Sequence, residues 1–419
     1  MKKVLYGTTA LVAAGVLASA SASAQDKAGP VELKVGGYMT AHMAYTDQDT
    51  GATQAVGDRR NFGFFREGEI IFKGQTRLDN GLLVGVNVQL EAEDSTDQID
   101  EAYIFFDSPF GRVEFGSTDQ AASKMYYGSP SFIPGFNPAI QNYVDWNSNA
   151  ATANVSSMNL MLYNFNDAEH ITYYTPRFFG FQIGVSYTPE NCQAGNNEAG
   201  GGLTTPAGCG GAYAGQIANK ASGQQSDLFD IAANYVNSFN GFDVAVYGGW
   251  QGSTLDVENN NGLTPGSIVT GGNEAIRAWG AGAQLGYAGF SVGGAYKKQN
   301  TGRFASTGGK NMDQTSWTVG VGYKTGPWGI GIDYSQIKQE QGVLIGAAGT
   351  IASATDVAGE DEGTFLQIGG TYLVGPGITA FVGATHATMD DGSNGVVAGT
   401  TNSVDNTATV FRVGTNINF

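Results

Sequence analysis

Three histidines, two cysteines and several carboxylate clusters are the residues of this chain that could support chemistry. Nucleophilic catalysis needs a base within reach of an activated Ser or Cys. None of His42, His170 and His386 sits in a Ser or Cys nucleophile motif. His386 alternates in step with Val382 and Ala384, so it is either an interfacial side chain or the base of a membrane-interface hydrolase. Cys192 and Cys209 share one Gly/Asn-rich segment and have no nearby His or second Cys to complete a metal site. In an oxidising compartment they form a loop-closing disulfide or stay as two free thiols. Asp94, Asp97 and Asp100, and Glu360, Asp361 and Glu362, are oxygen-rich clusters of the kind that hold Ca²⁺, but they lack EF-hand spacing. Solvated loop charge is the plainer reading. No Gly-rich phosphate loop occurs, and no cofactor is expected. The balance of 38 acidic to 21 basic residues, without basic patches, excludes nucleic acid.

The elements that carry these residues are read from composition and periodicity. The 419 residues include 63 Gly, 23 Phe, 19 Tyr and 5 Trp, and only 14% are charged. Disordered chains are charged and aromatic-poor, so disorder is excluded. Gly has no three-residue period, which excludes collagen. Past the N-terminus no apolar run reaches the length of a membrane helix. Residues 1–24 read as a secretory signal: Lys2 and Lys3, an apolar stretch from Val4 to Leu17, then Ala22-Ser23-Ala24 at the cleavage positions. The mature chain, 25–419, is then one domain.

Beyond Glu32 apolar and polar residues alternate. Leu82, Val84, Val86, Val88, Leu90 and Ala92 take one face, and Leu83, Gly85, Asn87, Gln89, Glu91 and Glu93 the other. Period two means a strand with one apolar and one polar face. Seven tight turns built on Gly, Pro, Asn and Asp separate such strands, among them Asp79-Asn80-Gly81 and Gly375-Pro376-Gly377. Eight longer segments lie between the pairs, at roughly 46–60, 94–99, 119–169, 190–226, 252–273, 299–312, 339–362 and 389–406. Fifteen connections make sixteen strands.

Short turns at one end, long loops at the other and an even strand number describe an all-β, antiparallel transmembrane barrel. Phe110, Phe178, Phe179, Phe239, Phe242, Phe290 and Trp328 flank the short turns, as an interfacial girdle requires. In hydrocarbon an open edge would strand its N–H and C=O groups, so the sheet must close.

A barrel of this size encloses water, and parity assigns its wall. Lys34, Tyr38, Thr40 and His42 share a face, as do Glu67, Glu69, Lys73, Gln75 and Arg77. Glu91, then Glu101, Tyr103 and Asp107, then Arg112 and Glu114, and finally Arg412, Asn416 and Asn418 continue it. Charge on the lipid face costs about 2–4 kcal/mol at midplane, so these residues belong inside. Segment 119–169 is too long for an ordinary connection, and its aromatic residues argue against disorder. It either packs as an external lid on the barrel mouth or enters the lumen and narrows it. Lys73, Arg412, Arg66 and His42 would then oppose Asp119, Asp145, Asp167 and Glu169 in a transverse field. The excess of acids on the wall predicts a mild cation preference.

Three stretches carry a family resemblance. They are Gly111-Arg112-Val113-Glu114-Phe115-Gly116 leading into the long segment; His170-Ile171-Thr172-Tyr173-Tyr174-Thr175-Pro176 with Phe179-Gly180-Phe181; and the final strand from Ala408 to the terminal Phe419. With these the mature chain resembles a general, non-specific Gram-negative porin of the alphaproteobacterial type. The resemblance implies passive diffusion of small hydrophilic solutes and ions, with a solute-specific channel on the same barrel as the alternative. It also implies a homotrimer, an infolded third loop, and contact with outer-membrane lipid and lipopolysaccharide. Phe419 would be read by the outer-membrane assembly machinery. Segment 129–136 departs in wording from the acidic, Gly-rich loop tip of enterobacterial relatives.

Overall fold

The computed structural model describes residues 29–48, 60–92, 99–131, 133–134, 140–141, 158–165, 168–190, 225–255, 272–273, 275–304, 311–340, 360–390, 392, 396–397, 400–401 and 405–419. The expected signal segment, Asp145, Asp167, Cys192 and Cys209 lie outside them.

Sixteen long antiparallel strands form the barrel. They are β1 (Glu32–Gln48), β2 (Phe62–Arg77), β3 (Leu83–Glu91), β4 (Ala102–Ser108), β5 (Gly111–Ser117) and β6 (Glu169–Tyr174). Next come β7 (Phe181–Glu190), β8 (Gln225–Phe239), β9 (Phe242–Leu255), β10 (Arg277–Tyr287) and β11 (Phe290–Phe304). The last are β12 (Asn311–Thr325), β13 (Trp328–Glu340), β14 (Glu360–Gly375), β15 (Ile378–Asp390) and β16 (Asn406–Asn418). Each pairs with its neighbours in sequence, and β1 pairs with both β2 and β16, which closes the sheet. The expected strand number and the seven tight turns are therefore observed. The connection expected at 299–312 is shorter, because β11 and β12 run on to Phe304 and from Asn311. Polar residues such as Gln299 and Gln314 extend the ladder where apolar alternation has ended, bonding side chain to side chain at 2.9 Å.

Turn chemistry fixes the hairpins. Asn240 and Gly241 have φ of +50° and +82°, the left-handed pair that matches the twist of flanking strands. Outward-facing positions are apolar and exposed along the whole circumference, as in Phe64, Val246, Val321, Val382 and Phe411. A belt of this extent is stable only against lipid. Aromatic pairs line the short-turn end: Phe242 with Tyr287 (4.3 Å), Phe290 with Tyr323 (4.4 Å) and Trp328 with Tyr372 (4.5 Å). No helix among the described residues is long and apolar enough to cross a membrane; the strands do so.

The buried apolar core lies inside the barrel. Ala121, Ala122, Met125, Tyr126, Met158, Leu160, Met161 and Leu162 of the third loop pack on inward side chains such as Tyr174, Tyr247, Ile337, Phe365 and Met389. Each large apolar side chain removed from lumen water contributes about 1.5–3 kcal/mol. The described parts of the long segment are thus folded into the lumen.

Candidate functional site: the constricted lumen

The third loop leaves β5 through a single helical turn, α1 (Ala121–Lys124). Inward polar side chains receive its backbone. Ala121 N donates to Ser186 Oγ (2.8 Å) and Ala122 N to Asp230 Oδ1 (3.0 Å). Tyr247 Oη donates to Ala122 O (2.8 Å) and Asn234 Nδ2 to Met125 O (3.3 Å). Farther on, the loop passes so close to Gly282 and Gly293 that a Cβ there would overlap Tyr127 O and Gly128 O. Ile133 reaches Phe381 on β15. The return leg is tied by Lys297, whose Nζ donates to Asn159 O and Met161 O, both at 2.9 Å. Gln251 Nε2 donates to Leu162 O (3.3 Å). Buried groups of this kind are costly unless paired, so the loop and the wall satisfy each other.

The loop root is a charged cluster. Glu114 is 5% exposed and held between Arg112 Nε (2.7 Å) and Lys124 Nζ (3.0 Å). Arg112 also lies 3.9 Å from Asp107. Lys124 Nζ donates to Thr118 Oγ1 (2.6 Å), which donates to Glu101 (2.7 Å). Gln89 donates to the other Glu101 oxygen. Burial alone would lower the Lys124 ammonium, but Glu114 and Glu101 hold it well above its ordinary value. Burial, then the Glu101 carboxylate, pushes Asp119 up to about 7.

Strand pairing gives each wall residue its side of the sheet. Lys73 faces inward, its Nζ 5.4 Å from the centre of the Phe105 ring, and Arg112 covers the same ring at 4.2 Å. Glu67 and Glu69 flank the Tyr38 hydroxyl, 3.0 Å from each. Carboxylate oxygens of Glu69, Glu91 and Asp100 lie within 4.8 Å of one another. His42 stacks on Phe65 at 5.3 Å. Arg412 is buried inside and donates to Thr385 Oγ1 (2.8 Å). Phe419 faces outward, its backbone N and O bonded to Gly37 at 3.0 Å.

The transverse field needs correcting. Asp119 is buried with Ser123 Oγ at 3.3 Å, so it presents no open carboxylate to the basic wall. Arg66 alternates with Phe64 and Ile70 and pairs with Ala41, on the outer face. Glu169 has the parity of Ile171 and Tyr173, also outward. The loop residue that meets the wall at its root is a cation, Lys124, on an acid, Glu114. The second proposed acidic cluster does not converge. Glu360 and Glu362 bind Lys338 on the outer face, at 2.7 and 3.0 Å, while Asp361 is fully buried on the inward side. Of the first cluster only Asp100 lies among the described residues. His386 faces outward, with Nδ1 2.9 Å from Thr409 Oγ1.

Sequence reasoning missed Lys124, Phe105, Asp230 and Lys297. The last two stand at inward parity in long strands, so parity could have marked them as loop anchors. Nothing in the irregular loop could have paired Lys124 with Glu114.

A family model described as Gram-negative porin matches residues 7–395. Among curated proteins, an uncharacterized protein of Rickettsia bellii is 24% identical over 226 residues, 47% of this chain and 50% of that one. An uncharacterized protein of Rickettsia conorii is 26% identical over 218 residues, 45% and 49% of the two chains. The chain covers about half the length of these relatives. Among solved structures, the anion-selective porin from Comamonas acidovorans aligns with a TM-score of 0.55 at 14% identity, covering 93% of this chain and 100% of that one. The trimer form of OmpT, an outer membrane protein of Vibrio cholerae, aligns with a TM-score of 0.54 at 13% identity, covering 94% and 100%. These structural likenesses establish the barrel, and the family match over most of the length extends it to descent: the chain belongs to the Gram-negative porin family.

Proposed function

We propose that this chain forms a water-filled outer-membrane channel for passive diffusion of small hydrophilic solutes and ions, acting on them without chemistry. The observation that carries this reading is a closed sixteen-stranded barrel whose third loop is anchored inside while charged side chains line β1–β5. Assembly as a homotrimer follows the family likeness. In planar bilayers the purified protein should show a large, linear conductance at high salt that sugars and phosphate leave unchanged. Saturable block by one solute would replace this reading with a solute-specific channel.

A mild preference for cations is part of the proposal. It rests on Glu67 and Glu69 in the long-loop half of β2, Glu91 at the end of β3 and Glu101 just before β4, which raise the local cation concentration. Reversal potentials in a KCl gradient should have the sign of cation preference and shrink as salt rises. Anion preference at low salt would assign control to Lys73 and Arg112 instead.

The loop root should respond to pH. Asp119 titrates near 7 when docked, against an ordinary value of 3.8. Docking therefore favours its protonated form. That contribution is complete below 3.8 and is lost as pH rises through about 7. Current fluctuations from the loop should increase between pH 5 and 8, and Asp119→Asn should flatten the response. Equal noise across that range in the wild type would remove Asp119 from loop control.

A further inference from the structure

The wall formed by β1–β5 is sorted by sign along the channel axis. Distance from the short-turn end gives the height of each inward side chain. Lys34 stands near the start of β1, Lys73 and Arg77 on the short-turn half of β2, and Arg112 at the start of β5. Lys34 and Lys73 are direct cross-strand partners, and Lys73 and Arg112 share the Phe105 ring. Like charges side by side are unfavourable, and the ring faces offset part of that cost. Glu32, Asp107 and Glu114 are the carboxylates of this lower band, and Lys124 joins it from the loop. Five cations there face three carboxylates.

The upper band is acidic. Glu67 and Glu69 lie on the long-loop half of β2, Glu91 at the end of β3, and Asp100 and Glu101 at the entrance to β4. Among the described inward side chains at that height on β1–β4 there is no Lys or Arg; the cations beside the band are Arg412 of the adjoining β16, opposite Ala44, and Lys124, one hydroxyl away from Glu101. Glu69 and Lys73 are four residues apart on one strand, about 13 Å at 3.3 Å per residue. The Debye length is about 10 Å at 0.1 M salt and about 3 Å at 1 M. With strands tilted by about 35–45°, that spacing is about 10 Å of height, one Debye length at 0.1 M. The bands meet at the loop root, where Lys124 reaches Glu101 through Thr118. Away from that contact each acts mainly on ions at its own height.

We propose that this axial charge step makes the channel rectify, with Glu69, Glu91, Lys73 and Arg112 as the residues that set its direction. The inference rests on the porin reading and refines it. The upper band concentrates cations and the lower band concentrates anions. When the long-loop side is positive, cations enter through the acidic band and anions through the basic band, so both accumulate at the junction and conductance rises. With the opposite polarity both are drawn away, the junction is depleted of carriers, and conductance falls. A purely transverse arrangement of the same charges has no such direction.

The test is the current–voltage curve of the full-length protein inserted from one side of a planar bilayer. Orientation is read by proteolysis of the long loops on the side of addition. At 0.1 M KCl the current should be about twofold larger when the long-loop side is positive than at the opposite voltage, approaching equality at 1 M. Glu69→Gln with Glu91→Gln should remove most of the asymmetry, and Lys73→Gln should reduce it from the other band. The Glu→Gln changes keep side-chain shape, Lys73→Gln shortens an inward side chain on a paired strand, and resistance to unfolding in detergent checks the fold of both variants. A symmetric wild-type curve at 0.1 M, asymmetry of the opposite sign, or asymmetry that survives both variants overturns the proposal. Absence of any channel activity would instead overturn the porin function on which it rests.

Discussion

Deleting residues 128–140 is expected to raise single-channel conductance severalfold while the barrel stays folded. The loop occupies lumen volume but carries no strand of the barrel: the ladder runs directly from β5 to β6, Glu114 opposite Thr172 and Phe115 opposite Ile171. The deletion spares α1, the Glu114–Lys124 pair and the return leg on Lys297. It removes the stretch that passes Gly293 and reaches Ile133. Planar-bilayer recordings of the deletion variant check this. Wild-type conductance in a correctly folded variant would show that the passage is narrowed elsewhere.

The second large effect is expected from Glu114→Ala. Glu114 is the shared partner of Arg112 and Lys124, and removing it leaves two cations facing each other at a barely hydrated site. Breaking a buried ion pair from one side costs about 3–5 kcal/mol. The variant should unfold at clearly lower denaturant concentration in lipid, and adding Lys124→Ala should restore part of the loss, since the pair is coupled. Wild-type resistance in Glu114→Ala would mean that the packed apolar residues of the loop hold it without the cluster.

The strands were legible because every physical constraint on a lipid-facing barrel acts with period two. Val84, Val86 and Val88 must meet lipid and Gly85, Asn87 and Gln89 must not, so one strand declares both faces. The same rule places Lys73, Arg112 and Glu69 inside. Applied strictly, it also puts Arg66 outside, one residue from Glu67, and splits Glu360, Asp361 and Glu362 between two faces. Grouping those residues by charge overrode the geometry that was already present. The loop was legible only as a length and a composition. Its backbone has no repeat, so the contacts that bury Asp119 and bring Lys124 to Glu114 depend on the path, which periodicity does not record. Anchors such as Lys297 have the pattern of any other wall residue until a loop carbonyl arrives.

The pairing of β1 with β16 has a consequence for how the molecule is made. Thr40 and Asn416 share a side-chain hydrogen bond across 376 residues of chain. Every other barrel ladder joins neighbours in sequence, so it can form while later strands are still absent. This seam cannot. Closing a loop of that length costs about 4 kcal/mol more chain entropy than closing a four-residue turn, unless the intervening sheet has already curved to bring its edges together. A chain lacking β16 would present two unpaired edges, and each unsatisfied backbone group costs several kcal/mol in hydrocarbon. A product truncated before β16 therefore lacks the ladder that closes the sheet, and its two open edges disfavour a membrane-inserted state.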